Sequence, residues 1–210
     1  MNPKAKALAS ARNDKDIVII RHGATPDEHT AMGGWSGEGL GAKGVEEAKR
    51  AAREVPPDVE GIVSSDLPRA VLTAEIISKA TGIPIIAKDP ALRSWKLGNL
   101  DGKSPDDVEP VLEHVAQSEP DMKLPGGGES FNQFKDRFLG GIKKLQEKYR
   151  GKKIAIVTHS HNTRVLRAWE KEGQPDNLEI DKHNYKGRAM ENGGVEETKV
   201  KTKWTPSSEK

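Results

Sequence analysis

The sequence predicts an α/β fold with a doubly wound, largely parallel sheet flanked by helices. Short runs rich in β-branched residues, at 17–20, 61–65 and 153–158, have the length and composition of buried central strands. Stretches with apolar residues at helical spacing follow these runs. An alternation of strand and helix signals at this pitch is typical of parallel sheets.

We expect one domain over residues 17–204, because neither a repeat nor a linker divides this stretch. Residues 1–16 are small and polar and are predicted to form a flexible arm, and residues 205–210 a frayed tail. Within the domain, residues 84–87 are predicted to form a third strand and residues 195–204 an edge strand.

Helix positions follow from spacing and from start signals. The glycine-rich stretch 31–44 is expected to be a loop, and the helical spacing that begins at Val45 ends at Pro56. A last helix is expected after residue 159. The start signals are Pro68 at a first helical position, Ser104 as an N-cap before Pro105, and Ser130 with Gln133 at capping-box spacing.

Composition excludes several classes of function. The 34 Lys and Arg nearly balance the 32 Asp and Glu, so a net charge of +2 predicts neither nucleic-acid nor membrane binding. Without cysteine, the chain has no thiol nucleophile or thiolate metal ligand. No run approaches the roughly 18 apolar residues of a membrane span, and residues 1–16 lack the apolar core of a secretory signal. We therefore expect a cytoplasmic protein.

Polar side chains follow three of the predicted strands. Arg21 and His22 come directly after the first, Arg69 follows the second, and His159 ends the last strong one. In open α/β sheets the ligand crevice lies outside the carboxyl ends of the strands, so these four side chains are predicted to converge there. A compact cationic pocket of this kind suits a phosphoryl group, whose oxygens match the planar fork of arginine.

Five segments carry a family resemblance in their order and spacing from about Ile17 to Trp169. They are Arg21-His22-Gly23-Ala24-Thr25, Gly34-Trp35 with Leu40 and Gly44, residues 64–70 with Thr73-Ala74, residues 125–131, and Val157-Thr158-His159-Ser160. Together they resemble the signature motifs of the histidine phosphatase (phosphoglycerate-mutase-like) superfamily. Any one of them alone would be a weak match.

The resemblance implies a reaction without a metal ion or another cofactor, on a small-molecule phosphate ester. It casts His22 as the nucleophile that takes up the phosphoryl group on a ring nitrogen. Arg21, Arg69 and His159, together with Thr25, would bind the phosphate oxygens and stabilise the charge of the transition state. The attacking imidazole must be neutral, and neighbouring cations favour that form.

The sequence departs from the family at the residue that protonates the leaving oxygen. Many members carry a glutamate where this chain has Ser94, and others an aspartate where it has Ser160. A serine hydroxyl is far too weak an acid for this role. Five residues could substitute, and the sequence does not choose among them. These candidate general acids are Glu38, Glu28, Asp101, Glu129 and His161.

Three functions stay open on the sequence alone. The first is a phosphomonoesterase, the second a phosphoglycerate-type mutase, and the third a protein that binds a phosphorylated ligand with little turnover. The motifs favour the phosphomonoesterase. The missing acid keeps the third function open, and the short spacing between motifs disfavours a mutase. His159 and His161 have an H-x-H spacing, but no carboxylate near them in sequence completes a metal site, so none is expected. Arg164 is expected to be a surface charge. The oligomeric state cannot be predicted.

Overall fold

The computed structural model describes residues 17–174 and 189–198. Five strands in these ranges form one sheet in the order β3-β2-β4-β1-β5, and β5 alone runs antiparallel, against β1. The strands are β1 (Ile17–Arg21), β2 (Gly61–Ser64), β3 (Ile85–Lys88), β4 (Ile154–Thr158) and β5 (Val195–Thr198). The predicted fold class is therefore confirmed.

Helices cover both faces of the sheet. They are α1 (Ala42–Glu54), α2 (Pro68–Thr81), α3 (Pro105–Ser118), α4 (Phe131–Lys148) and α5 (Ser160–Lys171), with short 3-10 turns at Pro90–Leu92 and Gly98–Leu100. The side chains of Val18 and Ile20 pack with α1 and α2. Ile17 and Ile19 point to the opposite face and pack with α3, α4 and α5. Because successive strand residues alternate in direction, one continuous apolar run in β1 fills both cores.

The helix starts agree with the sequence except at one cap. Ser130 and Gln133 form the predicted capping box, with bonds of 3.2 and 3.1 Å between each side chain and the other residue's backbone N–H. Ser104 occupies the predicted N-cap position and α3 begins at Pro105, but the Ser104 side chain makes no capping hydrogen bond.

Part of the predicted domain organisation lies outside the described residues. This applies to the arm at 1–16, the tail at 205–210 and the last residues of the strand expected at 195–204. The single domain over residues 17–204 stays a prediction. No helix within the described ranges is long and apolar enough to cross a membrane.

The loop predicted to reach residue 44 ends earlier, because α1 begins at Ala42. Gly44 belongs to the first turn of this helix, where its backbone lies close to the backbone of Ala24. A Cβ there would lie 2.0 Å from the carbonyl oxygen of Ala24, and one at Gly23 would lie 2.2 Å from that of Gly44. These two glycines therefore let the start of α1 pack directly against the turn that follows β1.

Candidate active site

Three polar side chains meet at the carboxyl edge of the sheet. The backbone N–H of His22 donates to the carbonyl of Thr158 at 2.9 Å, which extends the pairing of β1 with β4 by one residue. The N–H of Ser65 likewise donates to Val157 at 2.9 Å. The sheet thus brings His22, Ser65 and His159 to one edge although they are far apart in sequence.

His22 has its lone pair on Nε2. Its ring is only 8% exposed, and Nδ1 lies 2.7 Å from the carbonyl oxygen of Gly23. A carbonyl can only accept a hydrogen bond, so Nδ1 carries the proton and Nε2 carries the lone pair. Burial, together with Arg69 and Arg21, holds the pKa of His22 well below its usual value. The ring is therefore neutral at physiological pH, with a lone pair on Nε2.

The turn after His22 is fixed by two helices. The N–H of Ala24 donates to the carboxylate of Glu47 in α1 at 2.7 Å, and Glu47 is itself buried. The N–H of Gly23 donates to the hydroxyl of Thr73 in α2 at 3.2 Å. These bonds hold the backbone at Gly23 and Ala24, so His22 is positioned by the fold and not by its own side chain alone.

His159 lies beside His22, with ring centroids 5.0 Å apart. Its Nε2 is 2.8 Å from the hydroxyl oxygen of Ser65, and its Nδ1 is buried without a hydrogen-bond partner among the described residues. Burial and the charge of Arg69 keep the pKa of His159 well below its usual value. One ring nitrogen is thus held by the protein, and the other is available to a ligand.

The two predicted arginines are both close to this histidine pair. Arg21 donates through Nη1 to the carbonyl of Met190 at 2.5 Å, and its Nε is buried without a partner in the described ranges. Arg69 is 2% exposed and donates to the carbonyls of Gly33, Gly34 and Ser36 at 2.7–3.1 Å.

Both guanidinium groups stay charged in this setting. Burial lowers the pKa of Arg21 and of Arg69 to about 10 in each case. Their charges therefore persist at neutral pH, where they can stabilise an anion.

Thr25 and Glu38 lie on the two loops that border the pocket. Thr25 is half-buried two residues after Gly23, and its hydroxyl has no hydrogen bond to another described residue. Glu38 is exposed and follows Gly37, where a Cβ would lie 3.7 Å from Nη1 of Arg69. The Glu38 carboxylate is in no hydrogen bond or ion pair within the described part of the chain, which leaves it available for proton transfer.

Two of the candidate acids hold the backbone in place. Asp101 accepts from the N–H groups of Gly34, Trp35 and Ser36 and from the Ser36 hydroxyl, at 2.7–3.1 Å. The carboxylate of Glu129 accepts from Nε and Nη2 of Arg137 at 2.7 and 2.8 Å. The oxygens of both carboxylates are therefore already engaged by donors within the protein, unlike those of Glu38.

Two further candidates are engaged in other ways. Glu28 forms an ion pair with Lys43 at 2.8 Å and accepts from the side-chain amide of Asn192. His161 is buried edge-to-face against Trp95 at 6.1 Å, and burial, aided by Arg164, lowers its pKa to about 3. At neutral pH such a histidine carries no proton that it can readily release as an acid.

The expectation that Arg164 is a surface charge is wrong. Its side chain is 9% exposed and binds both carboxylate oxygens of Glu109 in α3, at 2.9 and 3.2 Å. Both charges act on His161 and on Arg21, which places this pair at the border of the site. Its two members are 55 residues apart. No local signal in the sequence could have indicated the contact.

The described residues contain no group of three or more His, Asp or Glu side chains arranged to hold a metal ion. The H-x-H spacing of residues 159 and 161 does not form such a group. His159 binds Ser65, and His161 packs against Trp95.

Two named relatives are similar to this chain in sequence. The chain is 33% identical over 162 residues to the metal-independent phosphoserine phosphatase of Arabidopsis thaliana. The aligned region covers 73% of this chain and 66% of that protein, which is just under two thirds. It is 28% identical over 174 residues to phosphoglycerate mutase-like protein 4 of the same plant, covering 80% of this chain and 74% of the relative.

A solved structure and a family model agree with these relatives. Bacillus stearothermophilus YhfR superimposes with a TM-score of 0.73 at 28% identity, covering 89% of this chain and 92% of that one. The model of the histidine phosphatase superfamily (branch 1) matches residues 17–195, which contain the whole pocket described above. The family and its phosphatase-named members support an enzyme of the phosphatase or mutase type. The chain belongs to the histidine phosphatase superfamily.

Proposed function

We propose that this protein hydrolyses phosphate monoesters of small molecules through a phosphohistidine on His22, without a metal ion. The observation that carries the proposal is the bond from Nδ1 of His22 to the carbonyl of Gly23. It leaves the lone pair on Nε2 of a buried, neutral ring, beside the half-buried Arg21 and the buried Arg69. A nucleophile needs this tautomer, and its anionic product needs those cations.

The reaction proceeds in two displacements. Nε2 of His22 attacks phosphorus, the ester P–O bond breaks, and the leaving oxygen takes a proton. Water then attacks the phosphohistidine, which releases inorganic phosphate and restores the free ring. Arg21, Arg69 and the free ring nitrogen of His159 stabilise the phosphoryl oxygens in both steps, and Thr25 contributes its hydroxyl.

We further propose that Glu38 protonates the leaving oxygen. Among the five candidates, Asp101, Glu129 and Glu28 already accept hydrogen bonds from backbone or cationic donors, and burial lowers the pKa of His161 to about 3. The carboxylate of Glu38 is uncommitted and lies on the loop that encloses Arg69. An exposed carboxyl on a loop can reach a bound ester that also projects from the pocket.

The relatives favour hydrolysis and also give a second candidate function. The protein named a metal-independent phosphoserine phosphatase supports hydrolysis of an alkyl phosphate without a metal. The mutase-like relative supports transfer of the phosphoryl group to a second hydroxyl of a phosphoglycerate. The two functions share the phosphohistidine and differ in the acceptor, which is water in the first and an alcohol in the second.

The phosphohistidine is tested by labelling. Brief exposure to a ³²P-labelled ester and a quench at high pH should leave label on the protein that is stable to base and labile to acid. His22→Ala should carry none. If this variant were labelled as strongly as the wild type, another residue would be the nucleophile and the proposal would fail.

Turnover separates the candidate functions. A phosphatase should release inorganic phosphate from several esters, at the same rate with and without EDTA, and vanadate should inhibit it as a mimic of five-coordinate phosphorus. A mutase would instead keep the phosphate on phosphoglycerate and need a bisphosphate primer. Activity lost with EDTA and restored by a divalent metal ion would contradict the metal-independent reaction.

A further inference from the structure

Trp35 forms a wall of the pocket beside Arg69. The carbonyls of its two neighbours, Gly34 and Ser36, accept from the Arg69 guanidinium at 2.7 and 3.0 Å. The indole N–H then donates to the carbonyl of Ser94 at 2.8 Å. The indole therefore spans from the loop around Arg69 to the segment where relatives carry their acid.

Three cations surround this one ring. The guanidinium of Arg93 lies 4.5 Å from the ring centroid, the ammonium of Lys96 5.1 Å and the guanidinium of Arg137 5.6 Å. We call these four residues the Trp35 cluster. Like charges gathered at one ring repel each other, and the attraction of a cation to the ring offsets this only in part.

Carboxylates neutralise two of the three cations. Arg137 is bound by Glu129 and donates to backbone carbonyls, so its fork is occupied. Arg93 binds Asp66 through Nε and Nη2, at 2.7 and 2.6 Å, which leaves its Nη1 without a partner among the described residues.

Lys96 is the third cation of the Trp35 cluster, and its charge is not neutralised by a carboxylate of the described residues. Its half-buried ammonium has no carboxylate within ion-pair distance and no hydrogen-bond acceptor in the described ranges. An ammonium held against an indole has lost part of its water shell, so an anion beside it would be bound more strongly than at an open surface.

The Trp35 cluster adjoins the histidine pair through the end of β2. Asp66, which holds Arg93, directly follows Ser65, which binds His159. The charge of Arg137 also contributes to the lowered pKa of His159. These two links place the Trp35 cluster next to the histidine pair, and we infer that its uncommitted donors face the remainder of a bound ester.

We propose that Lys96 and Nη1 of Arg93 bind a carboxylate of the substrate, an inference that rests on the proposed phosphatase function. One unneutralised positive charge matches the single negative charge of a carboxylate better than the double negative charge of a second phosphoryl group. The flat indole beneath shields the contact from water and orients the two donors. The preferred substrate is a phosphate monoester with a carboxylate on its alcohol part.

The test uses two esters that differ only in the carboxylate. Phosphoserine carries it, whereas phosphoethanolamine has a hydrogen in its place. Lys96→Met removes the charge and keeps the length of the side chain. Lys79→Met, on the exposed last turn of α2, is the matched control for the loss of one positive charge.

We expect Lys96→Met to lower kcat/KM for phosphoserine by roughly tenfold or more, the size of a lost hydrogen bond to a charged group. Phosphoethanolamine should change by less than about threefold, and Lys79→Met should affect neither ester. Equal losses on both esters, no loss on either, or a wild type that does not prefer phosphoserine would overturn the inference.

A binding measurement separates failure of this inference from failure of the proposed function. Calorimetry with His22→Ala as the background needs no turnover, and it compares the two esters with and without Lys96→Met. Weaker binding of phosphoserine alone supports the carboxylate site even if no ester is hydrolysed. Unchanged binding of phosphoserine refutes that site even if the protein is an active phosphatase.

Discussion

The hydroxyl oxygen of Ser65 lies 2.8 Å from Nε2 of His159, and this contact determines which nitrogen of that ring carries its proton. The same oxygen is 3.4 Å from the donating N–H of Leu67. If Ser65 donates to Nε2, only the N–H at Nδ1 is left without a partner. If Nε2 donated instead, both the serine hydrogen and Nδ1 would be unsatisfied. Hydrogen-bond satisfaction thus favours an Nδ1–H that is free to bind a phosphoryl oxygen.

Ser65→Ala should therefore impair turnover without removing any group that touches the substrate. We expect kcat/KM to fall by roughly tenfold, the cost of leaving one buried nitrogen unsatisfied. Ser64→Ala is the matched control, because Ser64 is equally buried but donates to a backbone carbonyl. Nitrogen-15 shifts of the His159 ring should reveal the change of tautomer. The same shifts in the Ser65→Ala variant as in the wild type would refute the positioning role.

Arg69→Ala should lower the rate by about 10²–10³, the usual cost of losing a charged donor to a transition-state oxygen. The guanidinium also holds three carbonyls of the loop 33–36, so the free energy of unfolding should decrease as well. Arg69→Lys keeps the charge but loses the fork, and we expect an intermediate rate. Kinetics and urea unfolding on the same samples separate the two effects. A rate loss below about threefold in a folded Arg69→Ala protein would place Arg69 outside the site.

The free energy of unfolding should decrease as the pH is lowered below 6.5. Burial, as the largest cause, lowers the pKa of His22, His159 and His161 relative to the unfolded value of 6.5. Below that pH the unfolded chain binds protons that the folded chain excludes. Each histidine then reduces the free energy of unfolding by up to about 1.4 kcal/mol per pH unit.

Urea unfolding between pH 7.5 and 5 measures this dependence. Replacing the buried His161 by Gln should make the decrease of the free energy of unfolding with falling pH less steep. Replacing the exposed His114 by Gln is the control and should leave this slope unchanged. A free energy of unfolding that stays constant over this range would show that the histidines are not excluded from protonation.

Glu38→Gln should slow the cleavage of alkyl esters and spare aryl esters. Nitrophenolate leaves as a stable anion, whereas an alkoxide needs a proton, and general acid catalysis typically contributes about 10²–10⁴-fold. The measurement is the ratio of the rates for nitrophenyl phosphate and an alkyl phosphate. Glu28→Gln is the matched control, because Glu28 is bound by Lys43. If Glu38→Gln left the ratio unchanged, Glu38 would not be the acid.

Ser94→Glu tests the same step from the opposite direction. It introduces the carboxyl group that the family resemblance leads us to expect at this position. If the wild type lacks an efficient acid, the rate for alkyl esters should rise and the rate for aryl esters should stay constant. A rise in both rates would indicate an effect on binding and not on proton transfer.

The sequence predicted the central parts of the site because their signals are local. A β-branched run that ends in Arg21-His22 marks both a buried strand and the position of His22 at its carboxyl end. The capping box at Ser130 is a contact between residues three apart, so it is also visible in the chain.

Other features depend on contacts that spacing does not encode. The pair of Arg164 with Glu109 joins two helices, and the Trp35 cluster is assembled from three separate segments, around residue 35, residues 93–96 and residue 137. The candidate acids illustrate the same difficulty. As isolated residues Asp101 and Glu38 look alike, and only the donors around Asp101 distinguish a carboxylate that fixes a turn from one that is free to react.

The close approach of Gly23 and Gly44 makes the position of His22 sensitive to mutation of these two glycines, although neither has a side chain that could take part in the reaction. A single methyl group at either site would displace α1, and with it the Glu47 carboxylate that holds the N–H of Ala24. A saturation screen that selects for activity should therefore find these two glycines nearly as restricted as His22. A screen for abundance alone should show a penalty at the glycines and little at His22, which separates residues needed for assembly from the one needed for reaction.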